Sequence, residues 1–336
     1  VLRLPWFDYR APLSVAEAAK ILAGEGPAAM LVAGGTDLLP NMKRRHQTPK
    51  VLVSLRGISS LKSFSNGNGV NFGSGLTLTE VVQNAKTPTA LRQAAAQVAT
   101  PHLRNMGTLG GNLCLDTRCT YYNQNYEWRQ AIDFCLKKDG DTCWVATASK
   151  RCVAVSSTDT APALIALHAA VVLEGTAGER EIPVENLYKN DGIDYLSRQP
   201  DEILTSVKIP SGWKSTYWKL RRRGSFDFPL LGVAVALRFD PDGCSIQDAR
   251  IALGAAASRP FLVEKASEYL KGKKLTDEVI AEASTLVANR AKPMDNTDMD
   301  LYWRKAVADD FAGYALRELR GDDMRETRLR IARYSV

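Results

Sequence analysis

Apolar positions in the first sixty residues recur at helical spacing and then at strand spacing. Ser14 stands where a helix cap belongs, ahead of Ala16, Ala19, Ile21 and Leu22, which predict one helix. Ala28 to Ala33 then reads as a buried strand and Val51 to Leu55 as a second. The result is a small β-α-β unit whose first strand runs into Gly34-Gly35-Thr36-Asp37. From Val70 onward short elements alternate: a strand over Asn71 to Gly75, a helix from Thr79 through Val82 and a helix from Leu91 to Val98. A helix-to-strand passage follows over Ala163 to Val172, then a strand over Glu202 to Ile209. Near residues 221 to 230 the composition changes. Beyond it, strands Leu231 to Phe239 and Ile246 to Leu253 flank the turn Pro241-Asp242-Gly243, and helices are predicted over Phe261 to Leu270, Thr276 to Ala288 and about Leu301 to Leu319. Strands followed by helices predict an α+β C-terminal domain. The pattern divides the chain into residues 1–56, 57–220 and 221–336, with no internal repeat and no low-complexity tract.

Composition narrows the class. The chain has 336 residues, 45% hydrophobic and 24% charged, enough to bury several cores and far from disordered usage. Lys and Arg number 44 against 37 Asp and Glu, a net charge of +7. The basic runs Lys43-Arg44-Arg45, Arg221-Arg222-Arg223 and Lys271 to Lys274 read as solvated surface, because no nucleic-acid motif accompanies them. No apolar run approaches the roughly 18 residues of a membrane span, and Val1-Leu2-Arg3-Leu4-Pro5 lacks the layout of a secretory signal, so a cytoplasmic protein is expected, with neither nucleic acid nor membrane as partner.

Two segments pack glycines beside small polar residues: Leu31-Val32-Ala33-Gly34-Gly35-Thr36-Asp37-Leu38, and Arg104 to Asn112 with Thr108-Leu109-Gly110-Gly111-Asn112 at its end. Glycines at a strand end let backbone N–H groups approach a pyrophosphate without a Cβ in the way. Neither segment fits the G-x-G-x-x-G dinucleotide fingerprint or the G-x-x-x-x-G-K-[ST] phosphate loop.

Taken together, and with Ser157-Thr158-Asp159-Thr160-Ala161-Pro162-Ala163-Leu164 behind them, the loops resemble the FAD-binding subunit of the molybdenum hydroxylases, the xanthine dehydrogenase and carbon monoxide dehydrogenase family. Phe7-Asp8-Tyr9-Arg10-Ala11-Pro12, Gly73-Ser74-Gly75, Asp201-Glu202-Ile203-Leu204 and Ala249 to Gly254 extend the likeness over nearly the whole chain. The resemblance implies an α+β fold: a two-part FAD-binding domain of the PCMH/vanillyl-alcohol-oxidase type, split at about residue 56, and a C-terminal domain like that of the CO dehydrogenase flavoprotein. It implies that Leu31 to Leu38 wrap the FAD pyrophosphate and that Thr108 to Asn112 close on it from the other side. Asp159 matches the acidic residue on the adenosine half, Leu204 and Lys219 match positions near the isoalloxazine ring, and Val98 matches a side chain lining the flavin pocket. Read from the residues alone, Val98 and Leu204 fit a core, Asp159 a helix cap and Lys219 a solvated surface.

The chain departs from the family between the second loop and Asp159. Asn112 and Asp159 stand 47 positions apart where the family moves on almost at once, and this excursion, about residues 114–155, holds Cys114, Cys119, Cys135, Cys143 and Cys152, leaving only Cys244 elsewhere. Three readings compete: buried thiols acting as small apolar residues, a structural zinc site, and an iron–sulfur cluster. Zinc modules usually supply C-x-x-C knuckles, and none exists here. An iron–sulfur cluster tolerates spacings such as the 15, 7 and 8 residues that separate Cys119, Cys135, Cys143 and Cys152. A [4Fe–4S] cluster on those four is therefore expected, with Cys114 tied instead to the flavin loop. Tyr121, Tyr122, Tyr126, Trp128, Phe134 and Trp144 would shield it. His46, His102 and His168 form no metal or nucleophile constellation.

A cysteine-bearing insertion at this place is similar to that of the 4-hydroxybenzoyl-CoA reductase branch of the family. That likeness implies an oxidoreductase subunit for reductive dehydroxylation in anaerobic aromatic degradation, within a heterohexamer of three subunit types in duplicate. One partner would carry a molybdopterin cytosine dinucleotide and another two [2Fe–2S] clusters, with reduced ferredoxin as electron donor. The competing expectation is an ordinary hydroxylase flavin subunit that passes electrons to NAD or a quinone, its cysteine loop holding zinc or serving structure.

Overall fold

The computed structural model describes residues 3–241 and 243–333. Asp242, of the turn read at Pro241-Asp242-Gly243, and Val1-Leu2, of the reading of the chain's start, lie outside the described residues. The first unit is built from β1 (Asp8–Arg10), α1 (Val15–Glu25), β2 (Ala29–Val32), α2 (Leu38–Lys43) and β3 (Val51–Ser54). Its three strands are parallel in the order β1-β3-β2. Ser14 caps α1 by accepting from the Glu17 N–H, and Val15, Ala18, Ala19 and Leu22 bury the helix face against Val51, Val53, Ile58 and Leu61.

The second unit runs through β4 (Phe64–Gly67), β5 (Gly69–Gly73), α3 (Leu78–Gln83), α4 (Thr89–Ala96), α5 (Pro101–Arg104), α6 (Leu109–Leu113) and α7 (Tyr126–Ala131). It continues through α8 (Thr160–Ala166), β6 (Ala170–Gly175), β7 (Gly178–Pro183) and β8 (Ile203–Pro210). The strands form one antiparallel sheet, β4-β5-β8-β6-β7.

The third unit holds β9 (Lys214–Leu220), β10 (Leu231–Phe239), β11 (Ile246–Gly254), β12 (Phe261–Leu262), α9 (Glu264–Leu270), α10 (Asp277–Arg290), α11 (Leu301–Arg320) and α12 (Arg325–Arg333). Its antiparallel sheet is β12-β11-β10-β9, so the sheet begins at Lys214 rather than past residue 221. Phe261 and Leu262, expected in a helix, pair with β11 instead; the helix starts at Glu264, once that pairing is spent.

β10 explains how the units meet. Ala234 and Ala236 face the core that holds α4 and α8, while Val233, Val235 and Leu237 face the core covered by the C-terminal helices. A strand buried on both faces shows no polar alternation. Its alanine face lets α8, wholly buried, lie close, and at Gly254 an added Cβ would stand 3.0 Å from Pro162.

Candidate functional site

Where the first two units face each other, an open cavity of about 360 Å³ runs between the two glycine loops. Leu31, Val32, Ala33, Gly34, Gly35, Thr36, Asp37 and Leu38 line one wall, and Thr108, Gly110, Gly111 and Asn112 the other. Val98, Asp159 and Leu204 also line it.

The first loop has the chemistry of an anion cradle. β2 ends at Val32 and α2 begins at Leu38. Across the turn between them, the N–H groups of Gly34, Gly35, Thr36 and Asp37 have no acceptor among the described residues; the first amide to bond is that of Leu39, to the Gly35 carbonyl at 3.1 Å. Gly35 sits at φ 71°, a conformation that favours glycine. Successive free N–H groups after a strand are what a pyrophosphate requires, so the loop fits FAD.

The second loop works differently. Its N–H groups are spent within the protein: Gly110 donates to Ser74, Gly111 to Thr108 Oγ1 and Asn112 to the Thr108 carbonyl. Its glycines serve close approach. A Cβ on Gly110 would lie 2.7 Å from Ser74 Cβ, and one on Gly34, in the opposite loop, 2.0 Å from the Met106 carbonyl oxygen. The two loops therefore touch backbone to backbone. Asn112 Oδ1 accepts from Thr158 Oγ1, the Thr160 N–H and Thr160 Oγ1, tying the loop to the start of α8. Leu109 is fully buried beneath the loop and does not line the cavity.

Asp159 stands at the head of α8 without capping it. Its Oδ1 accepts from Tyr217 Oη at 2.8 Å and its Oδ2 from Lys219 Nζ at 3.0 Å. Lys219 spends its other donors on the Gln97 and Asp227 carbonyls. It is fully buried behind Asp159 and does not line the cavity, so the solvated reading is corrected. Burial pushes the Asp159 carboxyl up and the Lys219 amine down, while their mutual attraction opposes both shifts. This ion pair pins β9 to the cavity wall.

Several lining residues escaped sequence reading. Tyr195, Arg198, Phe226 and Phe228 reach the cavity from irregular loops with no periodicity to betray them. Phe228 lies under the buried Arg118 guanidinium, 4.8 Å from ring to Cζ. Arg118 pairs with Asp37 of the first loop and donates to Asn41, so the excursion braces the cradle directly. Burial lowers the Arg118 guanidinium to about 10.

Within the excursion, Cys119, Cys135, Cys143 and Cys152 are all buried and line one small second cavity with Tyr121, Tyr122, Leu136, Lys137 and Trp144. Cys114 lines the first cavity instead. Gly192 packs directly on Cys152: an added Cβ would stand 2.6 Å from its Sγ. Burial pushes the Cys119 thiol up to about 12 and the Cys152 thiol to about 11, with backbone N–H groups of Tyr121 and Tyr122 at Cys119 and of Ala154 at Cys152 pulling the other way. Among the described residues, no three or more His, Cys, Asp or Glu side chains converge as ligands of a single metal ion. A zinc ion with bonds of about 2.3 Å would need its sulfurs nearly in contact. Four thiolates are the number that an iron–sulfur cluster takes.

Of the expected shield, Tyr121, Tyr122 and Trp144 line the sulfur cavity, while Tyr126 and Trp128 are partly exposed on α7. His46 is buried against the Tyr122 ring at 4.4 Å, and burial lowers its imidazole to about 4. His102 and His168 are exposed and line neither cavity.

One hydrogen-bonded wall separates the two cavities. Asp116 lines the first; it accepts from Tyr122 Oη at 3.1 Å and from Lys137 Nζ at 2.8 Å, both of which line the second.

Residues 5–212 match the family described as the FAD binding domain in molybdopterin dehydrogenase, and residues 215–319 the CO dehydrogenase flavoprotein C-terminal domain. The chain is 30% identical to the aldehyde oxidoreductase FAD-binding subunit of Escherichia coli (strain K12), over 85% of this chain and 93% of that one. It is 27% identical to the carbon monoxide dehydrogenase medium chain of Hydrogenophaga pseudoflava, over 93% and 96% of the two chains. Its fold is similar to that in the carbon monoxide dehydrogenase structure from the same organism, with a TM-score of 0.76 at 26% identity over 94% of this chain and 97% of that one. Among the described residues no helix is long and apolar enough to cross a membrane.

Proposed function

Because this chain belongs to the family of FAD-binding medium subunits of the molybdenum hydroxylases, we propose that it is the electron-entry subunit of a molybdenum-containing 4-hydroxybenzoyl-CoA reductase, with a [4Fe–4S] cluster beside its FAD. The observation that carries this reading is the gathering of Cys119, Cys135, Cys143 and Cys152 around one cavity, a single hydrogen-bonded wall from the flavin cavity.

When bound, FAD and the cluster supply one-electron carriers between a low-potential donor, reduced ferredoxin, and the [2Fe–2S] clusters of a partner subunit. This chain's residues hold and insulate them. The free N–H groups of Gly34 to Asp37 bind the pyrophosphate, Leu204 and Val98 pack on the flavin, and Tyr122, Trp144 and Leu136 keep water from the sulfurs. Asp159 stands ready for the adenosine half through lone pairs not taken by Tyr217 and Lys219. The partners in this reading are a molybdopterin-cytosine-dinucleotide subunit and a [2Fe–2S] subunit in a heterohexamer. The overall reaction replaces an aryl C–OH bond by C–H: two electrons and two protons enter, and benzoyl-CoA and water leave.

The names of the relatives, an aldehyde oxidoreductase and a carbon monoxide dehydrogenase, favour a second reading, a flavin subunit that delivers electrons to NAD or a quinone. The assembled complex, held anaerobically with 4-hydroxybenzoyl-CoA and a reduced low-potential donor, separates the two. Benzoyl-CoA formation is expected; reduction of NAD or a quinone without dehydroxylation would support the second reading.

A further inference from the structure

We propose that the buried Lys137–Asp116 ion pair is an electrostatic tuning device between the two redox sites, with Lys137 raising the reduction potential of the sulfur-ligated centre. The inference rests on the cluster reading above and concerns only how this chain's residues act on that centre.

Lys137 is 7% exposed and Asp116 6% exposed, so neither charge is relaxed by water. The Lys137 ammonium spends its donors on Asp116 Oδ1 at 2.8 Å, Thr117 Oγ1 at 2.8 Å and the Gly192 carbonyl at 2.6 Å. It also lies 4.8 Å from the Tyr122 ring centroid and 5.6 Å from that of Tyr195. An ammonium held on all sides in this way is fixed in place. The orientation matters most. Lys137 lines the sulfur cavity and Asp116 lines the flavin cavity, so the positive end of the pair faces the cysteines and the negative end faces the flavin.

A buried ion pair is weak evidence for stability, because desolvation offsets much of its attraction. Its placement across the wall between two redox cavities gives it another use. Reduction adds one electron from the low-potential donor to a centre already made negative by its thiolates. No bond to Lys137 forms or breaks. In a low-dielectric wall, a fixed positive charge on the sulfur side favours that added electron, and a fixed negative charge on the other side disfavours it. The pair therefore eases electron entry at the cluster. The Ala154 N–H, directed at Cys152 Sγ at 3.4 Å, acts in the same sense.

The test compares the complete complex with Lys137→Met, Lys137→Arg and Asp116→Asn, measuring iron and acid-labile sulfide first and then following the reduced cluster by EPR through a redox titration. Lys137→Met is expected to retain iron and to lower the reduced-to-oxidised ratio at a set potential at least tenfold, equivalent to about 59 mV for a one-electron couple. Lys137→Arg restores most of the shift. Asp116→Asn keeps the cation and removes its counter-charge, so it moves the potential upward; this opposite sign is the readout a merely structural role would not produce. Should Lys137→Met fail to assemble, the Asp116→Asn shift decides. An unchanged potential in iron-loaded Lys137→Met, or a downward shift in Asp116→Asn, overturns the inference. Absence of iron from the unsubstituted complex overturns the cluster reading itself and the inference with it.

Discussion

Cys143→Ser is expected to strip the iron from this subunit while leaving its FAD in place. Cys143 lines the sulfur cavity with Cys119, Cys135 and Cys152, and a [4Fe–4S] cluster takes four thiolates, so loss of one removes a quarter of its ligation. A serine hydroxyl fills the same space without the soft anionic sulfur. Because Cys143 lies off the flavin cavity and is 6% exposed, its replacement leaves the cradle untouched. Iron falls from about four per FAD to under one, and electron entry from the low-potential donor falls with it, whereas direct bleaching of the flavin by dithionite persists. Cys114→Ser is the matched control: Cys114 lines the flavin cavity and not the sulfur cavity, so its iron content stays at the parental level. Elemental analysis together with the flavin absorbance reads both outcomes. Loss of iron in Cys114→Ser with retention in Cys143→Ser would move the ligand set.

Gly34→Ala is expected to cost FAD instead of iron. The added methyl would stand 2.0 Å from the Met106 carbonyl oxygen and 2.6 Å from its carbon, both backbone atoms that no rotamer change can move. The loops must part, and the four free N–H groups from Gly34 to Asp37 are re-aimed. Overpacking of this kind costs about 1–3 kcal/mol, which, borne by the bound state, weakens FAD about 5- to 150-fold. Gly24→Ala, in α1 with nothing within 4 Å of the new Cβ, is the silent control. FAD retained on desalting and titrated back by fluorescence quenching measures the difference. Equal affinity in the two variants would show that the close approach of the loops does not shape the cradle.

How much of this was legible in the sequence depends on the kind of signal each residue carries. β10 runs over the predicted Leu231 to Phe239, because a strand buried on both faces is a continuous apolar run. α1, α10 and α11 were legible from their spacing and from Ser14 and Thr276, which cap the first two. β4, with all four residues exposed, and β7, mostly exposed, carry no such pattern and were not foreseen. β9 carries no such signal either: its partner, β10, lies beyond the arginine-rich loop, and pairing across a loop leaves no local trace.

At the site, the glycine loops were legible as a pair, but their division of labour was not. Both contain Gly-Gly, yet only the first leaves its N–H groups free; the second spends them on Ser74 and Thr108, partners that sequence spacing does not reveal. Lys219 read as solvated beside Arg221-Arg222-Arg223 because strand alternation turns it inward while its neighbours in the loop face out. Cys114 follows the flavin loop directly and lines the flavin cavity, whereas Cys119, Cys135, Cys143 and Cys152 line the second cavity. Lys137 and Asp116 gave no sequence signal, being ordinary charged residues 21 positions apart.

This flavin subunit is proposed to carry a second, sulfur-ligated redox centre. The measurement that meets it most directly is iron and acid-labile sulfide per FAD on the anaerobically purified subunit, with an EPR spectrum after dithionite reduction. About four of each per FAD and a reduced [4Fe–4S] signal are expected. Zinc in their place, or FAD with neither iron nor sulfide, would contradict this and leave the cysteine-lined cavity a structural element of an ordinary flavin subunit.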